Sequence, residues 1–326
     1  MKRILPILAS LYTLPALAHH GVAGVGTAAL EGPGAPIESS SSATLPEGKT
    51  LAYFKVDHAR FKTYDAAPAN PEADYSRFWM LGIGHGFTPW FSAYLFVPYN
   101  RKIDEPGGFD TQGWADISLM GQLGFKYDQG LALVPANESL DDLEDWHFTL
   151  FGGATLPSGN ANPRDASGAI DPGKSTGFGK PSYTLGLTAT RMLDAKTTLG
   201  MEASMLRFQD YTYADGNRMR FGGEDRLNGS LAYRLFANAE RKLRIDGVAE
   251  AQYLSLGRDR ANGEEEVATG GRVVYLMPGV RVYLDNMSFA LGLKKAAWTD
   301  LNESGQQQGA EGKEAYRVIF SASALF

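Results

Sequence analysis

The chain has 326 residues, a formal net charge of −6, 38 glycines, 17 Phe, 15 Tyr, 5 Trp and no cysteine. Disulfide stabilisation is therefore excluded, and the acidic balance leaves no basic stripe for nucleic acid.

In chain order, Met1-Lys2-Arg3, the apolar stretch Ile4 to Leu14 and the small-residue end Ala16-Leu17-Ala18 have the layout of a secretory signal peptide, so residues 1–18 are removed and His19 begins the mature protein. The apolar stretch is about half of the roughly 20 residues a spanning helix needs, and Pro15 follows it. Beyond it no window approaches 18 consecutive apolar residues, so no helix crosses a bilayer. A mean hydropathy of −0.23 is nonetheless compatible with a barrel, whose strands expose only alternate side chains to lipid.

Residues 19–50 hold His19-His20-Gly21, Pro33, Pro36 and the serines Ser39 to Ser42, and read neither as a strand nor as a long helix. Such a segment either hangs in the periplasm as a linker or folds into the lumen as a plug. Its first residues also place an α-amine and the His19 and His20 imidazoles together, a donor set suited to copper or zinc. The bland alternative is an accidental His pair beside a tolerant cleavage site.

From Leu51 onward twelve segments read as strands: 51–63, 75–87, 90–102, 114–127, 145–156, 181–193, 197–208, 225–237, 242–256, 270–283, 287–298 and 315–326. Their connections alternate between tight and long, which predicts short periplasmic turns and long external loops. The 128–144 connection breaks that alternation, and Glu138 to Glu144 is predicted as a short acidic helix.

The dyad pattern sets Leu227, Leu231, Tyr233 and Leu235 against Arg226, Asn228, Ser230 and Arg234. It sets Leu243, Ile245, Ala249, Ala251 and Tyr253 against Arg244, Asp246, Glu250 and Gln252, and Ile117, Leu119, Leu123 and Phe125 against Asp116, Ser118, Gln122 and Lys126. A charge facing lipid at the midplane costs about 2 to 4 kcal/mol, so the charged face points inward. The predicted lumen then holds Asp116, Glu202, Arg226, Arg234, Arg244, Asp246, Glu250, Arg281, Lys294 and Arg317. Interleaved signs favour a bracing salt-bridge network, and the alternative is an aqueous path whose selectivity these charges set. The first two strands leave the directions of His58 and His85 open.

A soluble sandwich is the competing fold, but its strands are about half as long and its outer face is polar. The chain ends with Tyr316, Val318 and Phe320 on one face and a terminal Phe326, which resembles the signal read by the barrel-assembly machinery. His147 is the best-placed histidine for a hydrolase, yet no serine elbow accompanies it. The run Gly82-Ile83-Gly84-His85-Gly86 lies in a strand with no following helix and supports no nucleotide site.

Leu156-Pro157-Ser158-Gly159-Asn160, closing the strand that opens at Trp146-His147-Phe148, and Gly177-Phe178-Gly179-Lys180-Pro181, opening the next, resemble elements of the proteobacterial outer-membrane channels named for a meta-pathway of phenol degradation. That resemblance implies a transporter admitting aromatic or poorly water-soluble compounds. The expectation is an all-β, up-and-down transmembrane barrel over 51–326 in the cell outer membrane, monomeric and surrounded by lipid. It passes a small organic solute with no cofactor and no enzymatic step. A metal-binding barrel or an outer-membrane hydrolase are the other readings.

Overall fold

Every predicted segment forms a strand, because alternation between acyl chains and an aqueous interior is the one pattern the chain repeats. They are β1 (Thr50–Phe61), β2 (Ala73–Thr88), β3 (Phe91–Asp104), β4 (Thr111–Trp114, resumed as Ile117–Tyr127), β5 (Trp146–Leu156) and β6 (Ser182–Met192). They continue as β7 (Thr197–Arg207), β8 (Glu224–Asn238), β9 (Leu243–Leu256), β10 (Gly271–Leu284), β11 (Met287–Leu301) and β12 (Glu314–Leu325). The structure is a computed structural model describing residues 32–62, 73–104, 109–136, 142–307 and 311–326.

Each strand pairs antiparallel with its neighbours in sequence, and β1 pairs with β12 from Leu51↔Leu325 to Arg60↔Tyr316, which closes the twelve strands into a cylinder. The seam is sealed at its end by Thr50 N–H to the Phe326 carbonyl at 3.1 Å and Phe326 N–H to the Thr50 carbonyl at 2.8 Å. Closure satisfies the backbone inside lipid, where an open sheet edge would leave donors and acceptors unpaired.

Parity holds around the wall. Leu227, Leu231, Tyr233 and Leu235 are 48 to 63 % exposed on the outside, while Arg244, Asp246 and Glu250 on the adjacent strand are 3 % exposed or less. The two histidines left open both face outward. His58 stands between Tyr75 and Tyr316, and His85 lies against Phe87 with its Nδ1 3.0 Å from Thr50 Oγ1. On the inward side of β2, Met80 is followed toward the turn by Gly82, Gly84 and Gly86, where a Cβ would come within 2.6 Å of Phe96, 2.4 Å of Tyr94 and 2.3 Å of the Pro46 carbonyl oxygen. The glycine run thus makes room for rings of β3 and for the segment that precedes β1.

Of the predicted acidic helix at 138–144, residues 138–141 lie outside the described residues, and Asp142–Glu144 forms a 3-10 turn. The Lys126 ammonium draws the carboxylates of Asp142 and Asp145, the latter at 2.9 Å. Leu131–Leu133 folds back on β4. At the other end, the short strands Tyr211–Thr212, Arg218–Arg220, Arg260–Ala261 and Glu264–Glu265 form a separate small sheet in the long loops.

Candidate functional site: the lumen and its occupant

The wall charges surround a guest that belongs to the chain itself. Residues 35 to 42 are all buried, with Ile37 at 0 % and Ser42 at 2 % exposure. The segment leaves β1 at the short-turn end, where Leu45 N–H donates to Ser92 Oγ at 2.8 Å and Thr44 Oγ1 to the Pro89 carbonyl at 2.6 Å. It runs past Gln122 of β4 to β6, where Ser42 Oγ is 2.8 Å from Thr188 Oγ1 and Ser42 N–H donates to Thr190 Oγ1 at 3.1 Å.

Halfway up the barrel it meets two carboxylates. Glu202 accepts from Ser40 N–H at 2.6 Å and from Ser204 Oγ at 2.7 Å. Glu250 accepts from three successive backbone N–H groups, those of Ile37 at 2.5 Å and of Glu38 and Ser39 at 2.9 Å, and from the Ser39 hydroxyl. Successive N–H groups converging on one anion form a nest, and such bonds to a charged acceptor are about twice as strong as neutral ones. Glycines at 279 and 292 admit Ile37: a Cβ at Gly279 would lie 2.3 Å from its Cδ1.

The guest's own carboxylate, Glu38, is taken by Lys294 Nζ at 2.8 Å with Lys55 at 3.9 Å. Burial pushes its pKa up, but Lys294 and Lys55 outweigh burial and hold it well below the usual carboxylate range. The segment then returns toward the short-turn end. Arg281 donates to the Pro36 carbonyl, Ala35 N–H to the Tyr283 hydroxyl at 2.9 Å, and Gly34 N–H to Thr198 Oγ1 at 2.8 Å. Arg244 at 2.6 Å and Arg234 at 3.1 Å share the Gly32 carbonyl.

Of the ten predicted lumen residues, seven thus hold the guest: Glu202, Arg234, Arg244, Glu250, Arg281 and Lys294 directly, and Asp246 by clamping Arg244 with bonds of 2.7 and 2.6 Å. Two brace the wall. Arg226 pairs with Glu224, and Arg317 is held by Glu314 at 2.9 Å, Glu311 at 2.9 Å and Asp57 at 3.3 Å beside the Tyr275 hydroxyl. Sequence reasoning missed Lys55, Asp57 and Glu38. The alternation of Lys55 and Asp57 with Phe54, Val56 and His58 was the signal for the first two.

Asp116 has a third task. It sits where β4 breaks, fully buried, and accepts Gly159 N–H at 2.8 Å on one oxygen and Phe178 N–H at 2.7 Å on the other. It therefore pins together the two glycine-containing elements that flank the long 157–181 connection. Ser158 adds a bond to the Ala115 carbonyl at 3.1 Å, and a Cβ at Gly177 would lie 2.8 Å from the Gly159 Cα. Asp116→Ala strands two charge-assisted bonds at about 1.5 to 3 kcal/mol each. Protease cleavage within 157–181 should rise in that variant, with Asp116→Asn between it and wild type; equal cleavage would remove the clasp.

His147 places Nδ1 3.2 Å from the Asp145 carbonyl oxygen at the short-turn rim. Tyr316, Val318 and Phe320 face outward and Phe326 is 65 % exposed at the seam. The signal peptide and the His19–His20 pair lie outside the described residues. Among the described residues no cluster of three or more His, Asp or Glu is arranged for a metal.

The family described as "Putative MetA-pathway of phenol degradation" matches residues 73–308. Among solved structures, the COG4313 outer membrane channel from Pseudomonas putida F1 aligns over 87 % of this chain and 98 % of its own, with 13 % identity and a TM-score of 0.66. The β domain of the Bordetella autotransporter BrkA covers 86 % and 99 % at 13 % identity and TM-score 0.46. No curated protein matches the chain. The likeness to the Pseudomonas structure supports the same outer-membrane barrel fold, and the match over residues 73–308 settles the lineage: the chain belongs to the family described as Putative MetA-pathway of phenol degradation.

Proposed function

We propose that the protein is an outer-membrane channel for a small organic solute, closed at rest by its own residues 32–49. The observation that carries this is the division of labour in the wall. Glu202, Glu250, Arg281 and Lys294 hold a segment with no regular secondary structure through hydrogen bonds to its backbone and to one carboxylate. A core built only for rigidity has no need of such a guest, since inward side chains of the wall pair with one another, as Arg244 and Asp246 do on β9.

The family description, which mentions phenol degradation, supports passage of an aromatic or poorly water-soluble compound, and the name of the Pseudomonas structure supports a channel. The barrel is read as a monomer inserted by the barrel-assembly machinery through its Phe326-ended strand. The test is uptake into proteoliposomes: a radiolabelled aromatic carboxylate should enter faster than sucrose. Equal rates for both, or none above protein-free vesicles, would sink the reading.

A further inference from the structure

The outer surface is not uniformly apolar, and in one sector two neighbouring arginines face outward with no carboxylate partner among the described residues. The register aligns Trp79, Tyr99 and Trp114 across β2, β3 and β4, with Tyr99 5.7 Å from each of the other two rings. Aromatic rows of this kind mark the membrane interface. Two residues nearer the long loops, the next outward row reads Val318, His58, Arg77, Arg101 and Gln112 across β12, β1, β2, β3 and β4. The row beyond it contains Tyr316, Arg60 and Tyr75.

Arg77 and Arg101 are direct cross-strand neighbours. Like charges in that position repel unless an anion joins them. Arg77 lies 5.0 Å over the Tyr75 ring, with its Nε 3.4 Å from His58 Nδ1. The Arg101 Nε is buried without a hydrogen-bond partner. Neither guanidinium is paired with a carboxylate among the described residues, and the described outward positions of β12 to β4 carry none. Two exterior arginines elsewhere do have such partners, Arg207 with Asp225 at 2.5 Å and Arg272 with Asp300 at 3.8 Å, while Arg191 lies over the Trp146 ring.

We propose that this sector, centred on Arg77 and Arg101 with His58 and Arg60 beside them, binds the phosphorylated headgroup of a lipid in the leaflet on the long-loop side. The charge supplies the missing anion, and the aromatic row places the cations at headgroup depth with the acyl chains along Val56, Leu81, Val97 and Leu95 below. The proposal rests on the barrel and its orientation, and it stands or falls independently of what the lumen conducts.

The test uses the mature full-length protein in phosphatidylcholine nanodiscs containing lipid A, with retained lipid read by native mass spectrometry after transfer to detergent. Wild type should retain lipid A, and Arg77→Gln/Arg101→Gln should weaken retention about thirtyfold, the equivalent of about 2 kcal/mol at about 1 kcal/mol per cation. Arg207→Gln should retain lipid A as wild type does. Equal retention by wild type and the double variant, or equal retention of a dephosphorylated lipid A, overturns the proposal. So does displacement by millimolar inorganic phosphate, which assigns the site to a free anion. Heat-modifiable mobility checks folding. If the double variant does not fold, Arg101→Gln, whose Nε has no partner to lose, decides the matter alone.

Discussion

Deleting residues 19–48 is expected to raise single-channel conductance in planar bilayers severalfold. The described part of that segment reaches mid-barrel, where Ile37 is fully buried and Ser40 bonds to one wall carboxylate while Glu38 and Ser39 bond to another. A twelve-stranded cylinder is wide enough that wall side chains alone do not fill it. Removing the guest replaces protein with water along the short-turn half of the path. It also leaves Glu202, Glu250, Arg281 and Lys294 facing that water, where hydration takes over from the lost bonds and the cylinder, closed by its own ladders, stays intact. Conductance equal to that of the full chain would show that ions do not pass where the segment lies, and the channel reading would lose its gate.

Glu250→Ala is expected to release the same segment without shortening the chain. The three N–H groups of Ile37, Glu38 and Ser39 lose their acceptor together. An unsatisfied buried donor costs about 1 to 3 kcal/mol, so the set destabilises the docked state by about 3 kcal/mol even at the low end. That shifts the open population by roughly a hundredfold, because each 1.4 kcal/mol is about a factor of ten. Glu250→Gln, which keeps one acceptor oxygen, should fall between. The readout is the fraction of time spent at the high-conductance level found for the deletion. If Glu250→Ala and wild type share one conductance histogram, the nest does not hold the guest in place. Arg226→Gln serves as a comparison, since Arg226 pairs with Glu224 on its own strand.

Strand positions and the inward set were legible because a membrane enforces period two: every charge on the wrong face is penalised, so parity survives in the sequence. Residues 243 to 253 show this best, with Arg244, Asp246, Glu250 and Gln252 all buried on one side. The first two strands resisted because Gly82, Gly84 and Gly86 present no side chain from which parity is read, and because His58 and Arg60 put polar groups on the outer face. The guest's docking was not legible at all. Glu250 lies 213 residues from Ile37 and grips its backbone, so nothing in the side chains of residues 32–42 announces the contact. Asp116 was legible as an inward carboxylate, while its grip on Gly159 and Phe178 depends on a break in β4 that periodicity does not encode.

Both limbs of the guest lie at one mouth: Thr44 and Leu45 touch the β2–β3 turn, and Gly32 meets Arg234 and Arg244 beside the β8–β9 turn. Topologically it is a finger pushed into a tube from one side, and no part of residues 32–49 is threaded through to the far opening. The topology leaves such a finger, from Gly32 to Leu45, free to enter after the seam between β1 and β12 has sealed and to withdraw without breaking a bond of the strand ladder. On the gating proposed above, opening and closing are events of the short-turn mouth, reversible for as long as the cylinder stands.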